Sequence, residues 1–178
     1  MSNLKELTWE HHKNAERQLF VKELLSGEIK PERYAEYLYN QYLVYNELES
    51  AAESHGLFAD IESVKRTPSI LKDFNELWVA LTPPLPKPCT TAYIEHIKNI
   101  SDDKDKLMAH VYVRHMGDLS GGQMIAKRVP GSRQFYQFSE DVSALKEKIR
   151  SKLDDSMADE AKICFDFAAQ LFLEMTET

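Results

Sequence analysis

Apolar positions recur along nearly the whole chain at the three- and four-residue spacing of a helix face, as in Leu107, Val111, Ile125 and Val129. The pattern predicts a first helix over residues 4–25, halted at Gly27, a residue suited to a left-handed C-cap. Pro31 is placed for the first turn of a second helix, with Glu32 beside the positive end of its dipole. That helix runs to about residue 55, where Gly56 ends it. A third covers residues 69–81. Pro83, Pro84, Pro86 and Pro88 make the following stretch an extended connector. A short helix is predicted over 90–100. Ser101 then caps a long helix with Asp102 and Asp103 in its first turn, closed by Val129-Pro130-Gly131. Two further helices span about 139–155 and 157–175. With no hairpin signal, repeat or low-complexity tract, the expected fold is an all-α helical bundle, a single domain over residues 1–178.

One segment breaks the helical pattern in composition but not in periodicity. Three of the six glycines fall within Gly117–Gly122. Each costs about 1 kcal/mol relative to alanine in a helix interior, roughly 3 kcal/mol together. At about 100° per residue, Arg114, Gly117, Asp118, Gly121, Gly122 and Ile125 share a face, with Met116, Ser120 and Gln123 opposite. Such a strip of bare backbone serves close helix–helix packing, a bend, or contact with a broad flat ligand.

Composition narrows the class of protein. A chain of 178 residues, 43% hydrophobic and 29% charged, has the make-up of a soluble globular domain. No apolar run approaches the ~18–20 residues that span a bilayer, and the start Met1-Ser2-Asn3-Leu4-Lys5-Glu6 turns polar too early for a signal peptide. Cys89 and Cys164 lack metal or redox spacing, so a reducing, cytoplasmic setting is expected. A net charge of −7 argues against nucleic-acid binding, although Lys146, Lys148, Arg150 and Lys152 form a local basic stretch.

Among the six histidines, His12 shares a helix face with Lys5, Trp9, Glu16 and Leu19, whereas His11 points away. A carboxylate four residues after an imidazole is either an ordinary surface contact or a device that fixes the tautomer and frees the other nitrogen for a metal. A metal held by side chains alone fits poorly: no glutamate stands three residues before any histidine, as helical di-iron sites require. One serviceable histidine and a glycine-floored surface suit a metal that arrives with its own planar ligand, as haem does. Tyr34, Tyr37, Tyr39, Tyr42 and Tyr45 cluster in the second helix. Most of them read as core or boundary aromatics, with a minority suited to hydrogen-bond a buried carboxylate such as Asp118. Lys146 and Arg150, one turn apart, are either a solvated face or a clamp for ligand carboxylates.

These residues match a known pattern. The run from Tyr112 to Gln123 resembles the distal-helix signature of the haem oxygenase family. Leu4-Lys5-Glu6 followed by His12-Lys13-Asn14-Ala15-Glu16 resembles its proximal helix. Tyr45 with Glu47 and Glu49 is similar to its second helix, Leu145–Arg150 to its propionate-binding helix, and Phe165 with Gln170-Leu171-Phe172 to its last. The likeness covers nearly the whole chain. It implies haem b between the first helix and a kinked distal helix, as both substrate and cofactor. It further implies O2, electrons from an external reductant, and cleavage at a meso carbon to biliverdin (the IX-alpha isomer), CO and Fe2+. By the resemblance, His12 ligates iron and Glu16 orients it. Gly117, Gly121 and Gly122 floor the distal side, and Asp118 holds water that delivers a proton, with Tyr45 and Arg114 in support. Lys5, Tyr112, Lys146 and Arg150 contact the propionates. Ferredoxin is the expected electron donor, a bilin reductase a possible downstream partner, and neither nucleic acid nor membrane is expected. His115 and Met116 replace an aromatic–leucine pair, a harmless exchange on this reading, and Ala168 stands where an amide is common. The competing readings are a non-catalytic haem carrier, a thiaminase-like enzyme on the same helical architecture, and a purely structural helical module.

Overall fold

The computed structural model describes residues 2–177, and those residues form ten α-helices, three 3₁₀ turns and no strand. Met1 and Thr178, the ends of the span read as one domain, lie outside the described residues. Among the described residues no helix is long and apolar enough to cross a membrane.

The predicted first helix is three: α1 (Leu4–Leu7), α2 (Trp9–Glu16) and α3 (Leu19–Leu25). The main break is at Gln18, whose backbone is extended (φ −63°, ψ 142°) while its side-chain amide donates to the Asn14 carbonyl. Packing dictates this turn. Leu4 belongs to one hydrophobic cluster, and Phe20 and Leu24 to another, so a straight helix would not fill both. Gly27 (φ +78°) and Gly56 (φ +70°) take the left-handed conformation expected of terminators.

Helix α4 (Pro31–Glu53) is the central element and packs against α5 (Thr67–Leu77), α6 (Pro88–Asn99) and α7 (Lys104–Leu119). Helix α5 ends four residues before its predicted limit, because Trp78 turns extended and its indole N–H donates to the Thr82 carbonyl. Pro88 is the first residue of α6 rather than the last of the connector, a position where its missing N–H is not needed. Asp103, not Ser101, caps α7 by accepting from the Lys106 N–H at 3.1 Å.

The long glycine-bearing helix does not continue to residue 129. It breaks at Ser120 (φ −115°, ψ −97°) and resumes as α8 (Gly122–Ile125). The Gln123 amide donates both to the Asp118 carbonyl freed by the break and to the Tyr136 carbonyl. Through this kink the chain leaves the cluster of Leu107, Val111 and Leu119 and enters that of Ile125 and Val129. Helix α9 (Val142–Arg150) is shorter than predicted at both ends, since Asp141 caps it at the Ala144 N–H. Helix α10 (Ala158–Thr176) packs against α2, α3, α6 and α7 and joins the two clusters.

Candidate functional site

At the α7 break the three glycines separate into two kinds. A Cβ built on Gly117 or Gly121 would meet nothing within 4 Å, so both present open backbone. Gly117, Ser120 and Gly121 form the exposed strip, with the side chain of Met124 largely uncovered just beyond it (63% exposed). Gly122 is buried, and a Cβ there would stand 2.7 Å from the Tyr136 ring, itself buried and stacked on Phe135. The floor expected of three glycines is therefore built from two, while Gly122 serves close packing. Gly122→Leu is expected to destabilise the haem-free protein by about 1–3 kcal/mol through overpacking. Gly121→Leu should hold or raise its melting temperature, because leucine has the better helix propensity. Equal melting temperatures for the two variants would contradict this division.

Asp118 also lies elsewhere than the helical wheel puts it. It stands behind the strip, buried in a polar core, not on the open face. The Tyr45 hydroxyl is 2.9 Å from both of its carboxylate oxygens, which bears out the expected tyrosine–carboxylate contact. Burial pushes the Asp118 carboxyl up to about 7, against the opposing pull of His115, Tyr45 and Arg66. Arg114 is buried on the same side, its guanidinium 4.9 Å from the Tyr93 ring centroid and 3.4 Å from the Gln41 side-chain oxygen. Gln41 in turn donates to the Tyr37 hydroxyl at 2.7 Å. Helices α4, α6 and α7 thus bring Tyr45, Gln41, Tyr93, Arg114 and Asp118 into one buried network.

His115 is no neutral replacement. Its Nδ1 faces the Val111 carbonyl at 3.0 Å and its Nε2 faces Glu49 at 2.7 Å, so both ring nitrogens meet oxygen atoms. Glu49 further accepts from the Arg66 N–H, the Thr67 N–H and the Thr67 hydroxyl. Burial raises the Glu49 carboxyl, but His115, Thr67 and Arg66 more than reverse this and hold it below its ordinary value. The pair ties α4 to α7 directly behind Asp118.

On α2, His12 Nε2 hydrogen-bonds Glu16 at 2.7 Å, leaving Nδ1 as its other ring nitrogen. The imidazole stacks on Phe165 of α10 (5.0 Å between centroids, 13° between planes) and meets the edge of Trp9. Trp9 remains 41% exposed. His11 turns to Asp166 instead, at 2.8 Å, as the helical phase requires. Lys5 is exposed on α1 and Lys146 half-buried on α9, and neither forms an ion pair among the described residues. Tyr112 lies near Arg150 and Thr8; burial raises its hydroxyl, which Arg150 and Thr8 partly offset. Arg150 itself is paired with Glu147. Lys152 pairs with the Asp60 carboxylate while Lys148 donates to the Asp60 backbone carbonyl, so the basic stretch is partly neutralised.

The cysteines show no activated nucleophile of the thiaminase-like kind at Cys89, whose thiol burial and Glu174 push up to about 12. Cys164 is buried beside Tyr93. Spacing along the chain offers no side-chain metal constellation, yet in the fold His96, His110 and Glu160 converge, with one possible ligand atom of each within 4.8 Å of the others. Sequence reading missed these three together with Glu49, His115, Tyr93 and Gln41. The available signal was polar residues recurring at i,i+4 inside apolar helix faces, as in Gln41–Tyr45–Glu49 and His110–Arg114.

Comparison with known proteins agrees with this geometry. The sequence model of the family described as Heme oxygenase matches residues 1–173. A haem oxygenase of Guillardia theta is 35% identical, with 97% of this chain and 84% of that protein covered. One of Porphyra purpurea is 30% identical, covering 99% and 86%. Among solved structures, the haem oxygenase of Leptospira interrogans superposes with a TM-score of 0.84 at 28% identity, covering 95% of this chain and 96% of that one. A haem oxygenase-1 from Synechocystis, solved in complex with haem, gives 0.79 at 25% identity, covering 98% and 90%.

Proposed function

The chain belongs to the haem oxygenase family, and from that premise we propose that it cleaves haem b at a meso carbon to biliverdin IX-alpha, CO and Fe2+. O2 and electrons from an external donor, ferredoxin in our reading, complete the reaction. The observation that carries this proposal is the kink of α7: open backbone at Gly117 and Gly121 with a single buried carboxylate, Asp118, immediately behind it. A side chain at either glycine would project into free space, so the strip is flat enough to lie against a porphyrin face. Trp9 and Met124, large apolar side chains left exposed beside His12 and Gly121, give such a ligand surface to cover. When bound, haem supplies the iron at which O2 is reduced and the carbon that is oxidised.

The residues divide the remaining work. His12 would hold the haem iron, and Glu16 and Phe165 set its ring orientation. Tyr45 donates to Asp118 and fixes its carboxylate, while Arg114 keeps a positive charge near the same network. A carboxylate offers about four acceptor sites. Asp118 therefore has capacity beyond Tyr45 for water, and with its carboxyl near 7 it can hold or pass a proton at neutral pH. Lys5, Lys146, Arg150 and Tyr112 are assigned to the propionates, with Arg150 released from Glu147 on binding. The remaining positive charge between Lys146 and Lys152 is the docking point we assign to ferredoxin, and a bilin reductase is the proposed consumer of the product.

The test begins with haem added to the full chain, which is expected to give a Soret band. Reductant under O2 should then convert that band to biliverdin absorbance. Haem binding with no turnover would favour a haem carrier, and no binding would favour a structural module. His12→Ala is expected to lose the iron–histidine stretch in resonance Raman spectra, and His11→Ala to keep it. The reverse result would reassign the ligand.

A further inference from the structure

We propose that His96, His110 and Glu160 form a binding site for a first-row divalent transition-metal ion, separate from the haem slot. The three side chains come from α6, α7 and α10, and one donor atom of each lies within 4.8 Å of the other two. Both imidazoles already aim Nε2 at the same oxygen, Glu160 Oε1: His110 at 2.8 Å, and His96 in a closer contact. An ordinary ion pair needs one imidazole on that oxygen. Two rings sharing it place three ligand atoms around a common point, where a small contraction and the loss of the bridging protons would admit a cation at bonds of about 2.0–2.2 Å.

The surroundings are those of a ligand set rather than of a surface contact. His110 is fully buried and its second nitrogen, Nδ1, is held by the Tyr93 hydroxyl at 2.7 Å, the outer partner that orients a metal-bound imidazole. Tyr93 is in turn fixed by Cys164 (3.1 Å) and stacks on Phe167 (4.4 Å), which also flanks His96. The Glu160 side chain is 10% exposed and that of His96 24%, so access and further coordination positions lie on the His96 side. Two imidazoles and one carboxylate with open positions suit Zn2+ or Fe2+ and disfavour Mg2+ and Ca2+, which seek oxygen alone. Tyr93 also lies under Arg114, so the ion would sit one side chain away from the buried network of Asp118. The binding claim stands independently of the haem reading.

The experiment titrates the full, haem-free chain with Co2+, followed by its visible bands, and with Zn2+ against a chromophoric chelator. One ion per chain is expected. Glu160→Gln and His96→Gln should each weaken binding by more than about tenfold. His11→Ala, which removes an exposed imidazole–carboxylate pair elsewhere, should retain the wild-type affinity. X-ray absorption of the Zn2+-loaded wild type should show two imidazoles and at least one oxygen in the coordination shell, a readout that needs no variant to fold. Absence of binding, affinity unchanged in both ligand variants, loss of affinity in His11→Ala, or fewer than two imidazoles in the shell would each overturn the proposal.

Discussion

Asp118→Ala is expected to bind haem with near-normal affinity, keep His12 ligation, and lose most biliverdin formation, by roughly 100-fold or more. The variant removes the carboxylate immediately behind the open backbone strip and leaves the Tyr45 hydroxyl only the Arg114 carbonyl, at 3.4 Å. An apolar methyl cannot hold water or pass a proton, whereas His12 lies on another helix and is untouched. Single-turnover spectroscopy with ascorbate or ferredoxin, following Soret decay and biliverdin absorbance, reads the loss directly. Full-rate turnover would mean that the centre of the site lies elsewhere. The same carboxyl makes a second, haem-independent statement. Its folded-state value is raised to about 7 while the unfolded value stays near 3.8. Between these values the folded protein holds a proton that the unfolded chain has released, so this group lowers stability as pH rises from about 4 to 7. Asp118→Asn should remove that slope and stabilise the haem-free protein at pH 8 by an amount on the order of 1–4 kcal/mol. Urea unfolding at pH 5 and pH 8 checks it, and an unchanged slope would contradict the assignment.

Glu49→Ala is expected to cost about 3–5 kcal/mol of stability, the largest loss we anticipate from a single change. The carboxylate is 5% exposed and serves four donors: His115 from α7, and the Arg66 N–H, Thr67 N–H and Thr67 hydroxyl at the start of α5. Its removal leaves a buried imidazole that faces a carbonyl with one nitrogen and nothing with the other, and strips the start of α5 of its anchor. His115→Phe is the informative contrast. Glu49 would keep the Arg66 and Thr67 donors, so the expected cost falls to about 1–3 kcal/mol. Chemical denaturation of both variants measures the difference. A Glu49→Ala protein within about 1 kcal/mol of wild type would show that the pair contributes little.

The exchange at His115 shows where reading along the chain stops being sufficient. From the sequence, His115 is one replaced aromatic beside a methionine. In the fold it becomes the buried partner of a residue 66 positions earlier. The His96–His110–Glu160 cluster has the same character, joining helices 50 and 64 residues apart. No rule of local spacing connects such residues, since the i,i+3 and i,i+4 relations on which spacing arguments rest reach about one turn.

What the sequence determined by itself was whatever depends on a few neighbouring residues. Gly27, Gly56, Pro31 and the proline connector set helix limits through backbone dihedrals and missing N–H groups. The phase of His12 against His11 and its pairing with Glu16 follow from helical geometry alone. The glycine cluster and the order of motifs made the family legible, because a helix that carries the cost of such residues needs a reason outside its own stability. Tertiary structure decided the rest. Gln18 and Ser120 break helices because two hydrophobic clusters must be filled from one chain; local propensity does not mark Gln18, whereas the glycines around Ser120 announced a bend without fixing its position. Packing against Tyr136 made Gly122 a structural glycine and left Gly117 and Gly121 open. The kink, together with α4, turned Asp118 from the strip into a buried core where desolvation, a property of everything packed around it, brings its carboxyl to about 7.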